Sequence, residues 1–152
     1  MIASLVMTPN PTTLSVTARV EDAITLFRST SLHDIPVVDQ DGKPVGSISC
    51  KAILHASVPK YASDSLLATM EGGPDIASVY SNLHNLSEKP VSEIMDQSIH
   101  SVKGTTPTSA IAAMLTHMHY DSFNILVVDE PGKLIGTISA FDIVCRSRDH
   151  PL

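Results

Sequence analysis

Few residues in this chain stand in a spacing that could do chemistry. Ser139 lies three positions before Asp142, but no histidine is identifiable as the base that would activate its hydroxyl. That argues against nucleophilic catalysis. His117 and His119 are separated by one residue. On a helix their side chains would point about 200° apart, and no third ligand is evident, so no metal site is expected. Cys50 and Cys145 are far apart, with no CxxC or Cys/His spacing around them. They are expected to be reduced, mostly buried thiols. Neither G-x-S-x-G nor a Walker loop occurs. Asp142 on its own has a plain role available, as a first-turn helix carboxylate favoured by the helix dipole. The expectation is a protein that is not an enzyme.

Composition narrows the class further. Apolar residues make up 43% of 152 positions, enough for a hydrophobic core, and with no Trp and little Phe or Tyr that core must be aliphatic. The formal net charge is −6 and the Lys and Arg residues are scattered, so no nucleic-acid backbone binding is expected. A small anionic ligand would need only one or two placed cations and backbone N–H groups, and is compatible with this charge. No charged and apolar leader is visible at the N-terminus, and no apolar run approaches the ~20 residues of a membrane span. The expected location is the cytoplasm, without membrane contact.

An internal repeat organises the chain. Val37-Val38-Asp39, Gly42-Lys43, Val45-Gly46-Ser47-Ile48-Ser49 and Ile53-Leu54 recur ninety positions later. The second copies are Val127-Val128-Asp129, Gly132-Lys133, Ile135-Gly136-Thr137-Ile138-Ser139 and Ile143-Val144. Upstream, Met7-Thr8 and Val20–Phe27 correspond to Met95-Asp96 and Thr108–Leu115, with about three extra residues in the second copy around 117–122.

Each copy reads as strand, helix, strand, turn, strand, helix. Thr17 and Thr106 are expected N-caps, with Pro107 at the first helical position. Ala23, Ile24, Phe27 and Leu32 fall at helical spacing. Ile35–Val38 and Asn124–Val128 are short, partly β-branched runs and read as buried strands. Gly42 and Gly132 supply the positive φ of the turns that follow. Val45–Ser49 and Leu134–Ser139 return as hairpin partners, and Lys51–His55 and Phe141–Arg146 begin helices. Between the copies lies an insert too long for a plain loop. Ser63–Glu71 and Asp75–Leu86 are helix-like within it. Leu66, Leu67 and Met70 form one apolar group; Ile76, Val79, Tyr80 and Leu83 form another, suited to packing on the module's own core or to a dimer contact.

The repeat resembles the CBS domain, named after cystathionine β-synthase. The resemblance rests on Ile35-Pro36-Val37-Val38-Asp39, Gly42 and Gly46-Ser47-Ile48-Ser49, and on Leu126-Val127-Val128-Asp129, Gly132 and Gly136–Asp142. It implies an α+β fold of two β-α-β-β-α repeats packed with pseudo-twofold symmetry. Repeat 1 is expected at 1–58, a helical insert at 59–90 and repeat 2 at 91–152. It further implies a regulatory module of the Bateman type, often a homodimer. Its inter-repeat clefts would bind AMP, ADP, ATP or S-adenosylmethionine as regulatory ligand rather than cofactor. Any regulated enzyme or transporter would be a separate protein. The rival expectation is a ligand-free dimerisation or interaction module with vestigial clefts.

In nucleotide-binding members, the last strand enters its helix through Gly-x-x-Ser/Thr-x-x-Asp, and the Asp accepts from both ribose hydroxyls. The Ser or Thr and the helix-start N–H groups face phosphate. Repeat 2 keeps this as Gly136, Ser139 and Asp142; repeat 1 has Gly46 and Ser49 but Ala52 at the Asp position. The resemblance therefore implies one competent cleft, at Asp142. Its adenine pocket would comprise Ile99, His100, Ser122, Phe123, Asn124 and Thr137. The phosphates would point toward repeat 1, where His33 matches a phosphate-contacting histidine of relatives. Those relatives follow it with Arg; here Asp34 follows, and would repel phosphate if it pointed inward.

Overall fold

The computed structural model describes residues 1–59, 76–117 and 124–146. Repeat 1 contains β2 (Leu14–Ser15), α2 (Val20–Ser29), β3 (Asp34–Val38), β4 (Pro44–Ser49) and α3 (Cys50–Ser57). Repeat 2 contains β5 (Ser101–Lys103), α5 (Thr108–His117), β6 (Asn124–Val128), β7 (Leu134–Ser139) and α6 (Ala140–Arg146). In each, the first strand runs parallel to the second and the second pairs antiparallel with the third. The hairpins share one register: Asp34 faces Ser49 as Asn124 faces Ser139, and both carry an irregularity at the Val-Val step. The turn glycines Gly42 and Gly132 take φ of +77° and +95°. The expected α+β pair of repeats is the observed architecture.

The two repeats exchange their leading segments. α1 (Ala3–Val6) and β1 (Thr8–Pro9) open the chain, yet β1 pairs with β7 of repeat 2, Thr8 opposite Thr137. Ala3 and Val6 are fully buried in the core of repeat 2, with Ile111, Ile125, Val127 and Ile138. In return Val91, in the 3-10 turn Val91–Glu93, joins the core of repeat 1, with Ile94 and Met95 against it. Asp96 there pairs with Ser47 of β4 through two backbone hydrogen bonds of 2.9 and 2.8 Å.

This exchange moves both helix starts. The expected N-caps Thr17 and Thr106 are not caps: α2 begins at Val20 and α5 at Thr108. The carbonyls of Arg19 and Pro107 accept the first helical bonds. The reason is tertiary, because the residues before each helix pair with the exchanged segment. Val20 N–H donates to Lys89 and Val91 N–H to Ala18, while Ala3 N–H donates to Thr106 and Thr108 N–H to Met1. At its other end α2 stops at Ser29, where the Ser29 and Thr30 hydroxyls return to the Leu26 carbonyl. Leu32 therefore lies beyond the helix rather than on its apolar face. Cys50 and Cys145 are free but exposed, not buried as expected. Cys50 borders an open apolar groove with Ile24, Phe27 and Ile53, and neither thiol belongs to the buried core clusters.

The insert helix α4 (Ile76–Ser87) packs on α2 and α3. Val79 is buried and Leu83 meets the core of repeat 1, while Ile76 and Tyr80 stay exposed. Asn82 donates to the Ser57 carbonyl at 3.0 Å, fixing α4 to the end of α3. The expected helix at 63–71, with Leu66, Leu67 and Met70, lies outside the described residues. No helix among the described residues is long and apolar enough to cross a membrane.

Two glycines permit the exchange. A Cβ on Gly46 would lie 2.7 Å from Met95 Sδ and 2.9 Å from the Asp96 carbonyl oxygen. A Cβ on Gly136 would meet Met7 and stand 3.0 Å from the Thr8 carbonyl oxygen. Gly136→Ala should therefore push β1 off β7. The expected loss is about 1–3 kcal/mol of unfolding free energy, the usual range for overpacking, measured by denaturant titration. An unchanged midpoint would show that this close approach constrains nothing.

Candidate functional site

The start of α6 is built on a reciprocal cap. Ser139 Oγ accepts from Asp142 N–H at 3.3 Å, and Asp142 Oδ2 accepts from both the N–H and the hydroxyl of Ser139 at 2.8 Å. Side chains that answer one another this way satisfy donors a helix start leaves open. The other oxygen, Oδ1, accepts from Thr8 Oγ1 at 3.1 Å. Arg146, one turn on, places Nε 3.5 Å from Oδ1. Its guanidinium also donates to the carbonyls of Val6 and Met7 and to Thr8 Oγ1. Asp142 thus joins repeat 2 to the exchanged N-terminal segment, and it is only 6% exposed.

A carboxylate has about four acceptor positions. Three here hold hydrogen bonds, two of them from hydroxyls, whose protons can rotate to another acceptor. Asp142 lines a cleft of about 540 Å³, within the range of small-molecule sites. Thr137, Ser139, Phe141, Asp142 and Arg146 form one side, and Ser31, Leu32, Asp34 and Pro36 of repeat 1 form the other. Asn124 lies between them, and the chain at Asn10–Thr12 closes an end.

Of the residues expected in the site, the structure brings Asp142, Ser139, Thr137 and Asn124 to this one cleft. Ile99 and His100 line a smaller recess at the junction of the repeats, which shares Asn124, Asp34 and Pro36 with the cleft. His33 is exposed and does not line the cleft, although Ser31, Leu32 and Asp34 do. His33 precedes β3, which begins at Asp34; Asp34 and Pro36 of that strand line the cleft. Ser122 and Phe123 lie outside the described residues. His117 Nδ1 stands 2.7 Å from the Ala113 carbonyl oxygen, a local helix-end contact, and His119 is outside the described residues. Among the described residues, no three His, Cys, Asp or Glu side chains are placed to hold a metal ion.

The equivalent cleft of repeat 1, about 460 Å³, is lined by Ser47, Ser49, Ala52, Ile94, Asp96 and Asp34, with Lys51, His55 and Glu93 at its edge. Ser49 Oγ accepts from Ala52 N–H at 3.0 Å, but Ala52 has nothing to return. Asp96, one of the carboxylates of this cleft with Asp34 and Glu93, stands where Thr8 stands in the other.

Family models match this chain twice as "CBS domain", over residues 2–59 and 91–148. The chain belongs to the CBS domain family. Its two CBS repeats form a tandem regulatory module. No curated protein matches the chain by sequence. Solved CBS structures share its fold. A CBS domain-containing protein of unknown function from Bacillus anthracis aligns with TM-score 0.77 at 19% identity, over 99% of this chain and 95% of that one. CBSX2 from Arabidopsis thaliana, crystallised in complex with AMP, aligns with TM-score 0.69 at 23% identity, over 97% and 96%. MJ1004 of M. jannaschii aligns with TM-score 0.72 at 19% identity over 98% of this chain, which spans only 60% of that longer one.

Asp34 occupies the centre of this CBS pair. It lines both clefts and the recess between them. Its oxygen Oδ1 is buried with no hydrogen-bond partner. Burial is the main reason its pKa is pushed up to about 6, with the nearby Asp96 carboxylate adding to it; the Ser47 hydroxyl and the Ile35 N–H pull the other way. The residue at the equivalent place in repeat 2 is the neutral Asn124. A folded-state pKa above the unfolded value of 3.8 means that ionisation opposes folding. The stability Asp34 contributes is complete below 3.8 and is lost as pH rises through about 6. Asp34→Asn should therefore stabilise the protein near pH 7.5 by up to about 3 kcal/mol, and much less near pH 4. Denaturant unfolding of both proteins at the two pH values measures the difference. An equal effect at both would contradict a strained carboxylate.

Proposed function

We propose that this CBS pair is a non-catalytic, ligand-sensing module that binds an adenosine compound in the cleft at Asp142. One observation carries the reading. A nearly buried carboxylate, two of whose hydrogen bonds come from rotatable hydroxyls, lines an open cleft, where its counterpart in repeat 1 is Ala52. Ribose hydroxyls donate to such a group, and Ser139, which exchanges hydrogen bonds with Asp142, is the residue beside it assigned to a polar 5′ substituent. Thr137 and Asn124, with Ile99 and His100 of the adjoining recess, are the described residues assigned to the base, and Ser122 and Phe123 complete that assignment. His33 belongs to the assignment at the 5′ end only if its exposed ring swings toward the cleft. AMP in the related CBSX2 supports an adenosine ligand as the class to test first. The module acts in the cytoplasm on a separate enzyme or transporter, and pairs with a second copy through its helices. Leu54 on α3 and Phe141 and Val144 on α6 are exposed apolar side chains compatible with that pairing.

The second reading, a ligand-free interaction module, is favoured by a different observation. Asp142 already caps its own helix and ties down Thr8 and Arg146. Calorimetry with AMP, ADP, ATP and S-adenosylmethionine separates the two. Asp142→Asn keeps the side-chain shape and the acceptor for Ser139 while removing the charge. Hydrogen bonds to a charged group are worth about 1.5–3 kcal/mol, so affinity should fall at least about tenfold. Absence of binding by wild type at high ligand concentration sinks the first reading, and unchanged affinity in the variant moves the site elsewhere.

A further inference from the structure

The wall of the Asp142 cleft contributed by repeat 1 carries a carboxylate where an anionic ligand would need a cation. Among the described residues, that wall offers Ser31, Leu32, Asp34 and Pro36. It has no Lys or Arg. The arginine among the described residues of the cleft, Arg146, is held on the opposite side. It donates to two backbone carbonyls and to Thr8, and it faces Asp142, so its charge is already balanced where it stands. Among the described residues, the formal charges lining the cleft are thus Asp34, Asp142 and Arg146. Around the corner of Asp34, the nearby Asp96 adds a further negative charge from the neighbouring cleft.

Asp34 is also short of a partner. Its Oδ1 atom is buried and accepts no hydrogen bond. Buried polar atoms of native proteins are nearly always satisfied, and those that are not call for an explanation. The position does not demand an acid, since the same place in the same register of repeat 2 holds the amide Asn124. A carboxylate kept in a cleft against its own desolvation is the kind of group that a ligand completes.

We propose that the ligand of this cleft is an adenosyl compound whose 5′ substituent carries a positive charge, an ammonium or a sulfonium, with Asp34 as its counter-ion, and that nucleotides bearing phosphate are selected against. This rests on the reading of Asp142 as the ribose acceptor, which turns the 5′ end toward repeat 1. A cation there pairs with the charge of the Asp34 carboxylate and lowers the field that Asp34, Asp96 and Asp142 create together. A phosphate at the same place adds two like charges beside a repeat 1 wall whose described residues include no Lys or Arg, and a site left with unpaired or repelling charges discriminates strongly.

The test is calorimetry of the wild-type chain and of Asp34→Asn with four probes: S-adenosylmethionine, adenosine, AMP and ATP. Wild type should bind S-adenosylmethionine at least about tenfold more tightly than AMP or ATP, with uncharged adenosine between them. In Asp34→Asn, a substitution that copies the amide of repeat 2, that ratio should shrink by about tenfold, with AMP binding gaining. Tighter binding of AMP or ATP by wild type, or the same ratio in the variant, overturns the charge assignment and leaves the Asp142 reading standing. Failure of all four probes to bind overturns both together.

Discussion

The exchange of leading segments is the constraint on which the rest of this molecule depends. Each repeat is a three-stranded sheet with two helices, too small to close a core alone. Val6 and Ala3 complete the aliphatic core of repeat 2, and Val91 completes that of repeat 1. The crossing is possible because Gly46 and Gly136 leave room for a methionine and a carbonyl where any Cβ would intrude. It also delivers the residues that matter to the clefts. Thr8 reaches Asp142 from 134 positions away, and Asp96 reaches the opposite cleft beside Ser47. The hairpin turns also meet, but through one bond only: Leu134 N–H donates to the Gly42 carbonyl at 3.0 Å. The return bond cannot form, because Pro44 has no N–H.

Pseudo-symmetry makes every departure from it informative. The backbone of the two clefts is the same, down to the register of the hairpins. Their charges are not. Asp142 and Thr8 in one cleft correspond to Ala52 and Asp96 in the other, and Asp34 corresponds to Asn124. Negative charge has been moved between walls rather than simply lost. The result is one cleft with a carboxylate on its floor and a second with a carboxylate on its crossing strand, meeting at Asp34. Such a frame gives two chemically different sites on one geometry, which suits a module that reports on a single ligand.

Much of this was legible in the residues. The ninety-residue repeat gave the hairpins, the turn glycines and the helices after Ser49 and Ser139, because local patterning and backbone chemistry decide those features. The contrast between Asp142 and Ala52 was visible for the same reason. What the sequence could not display was the exchange. Helix starts at Val20 and Thr108 follow from backbone pairing with segments far along the chain, which Thr17 and Thr106 cannot announce. Thr8 and Arg146 were overlooked as partners of Asp142. The pairing of Met7-Thr8 with Met95-Asp96 in the repeat, and the four-residue step from Asp142 to Arg146, were the available signals. His33 stands out by its position in the repeat, but the strand begins one residue later and it is Asp34 that lines the cleft.

The central claim is that the two clefts are unequal and that Asp142 marks the one that holds a ligand. A crystal structure of the chain soaked with an adenosyl ligand tests it most directly. The account predicts one ligand per chain, with both ribose hydroxyls on the Asp142 carboxylate and the cleft at Ala52 without one. A ligand seated beside Ala52, or ribose hydroxyls bound away from Asp142, would contradict it.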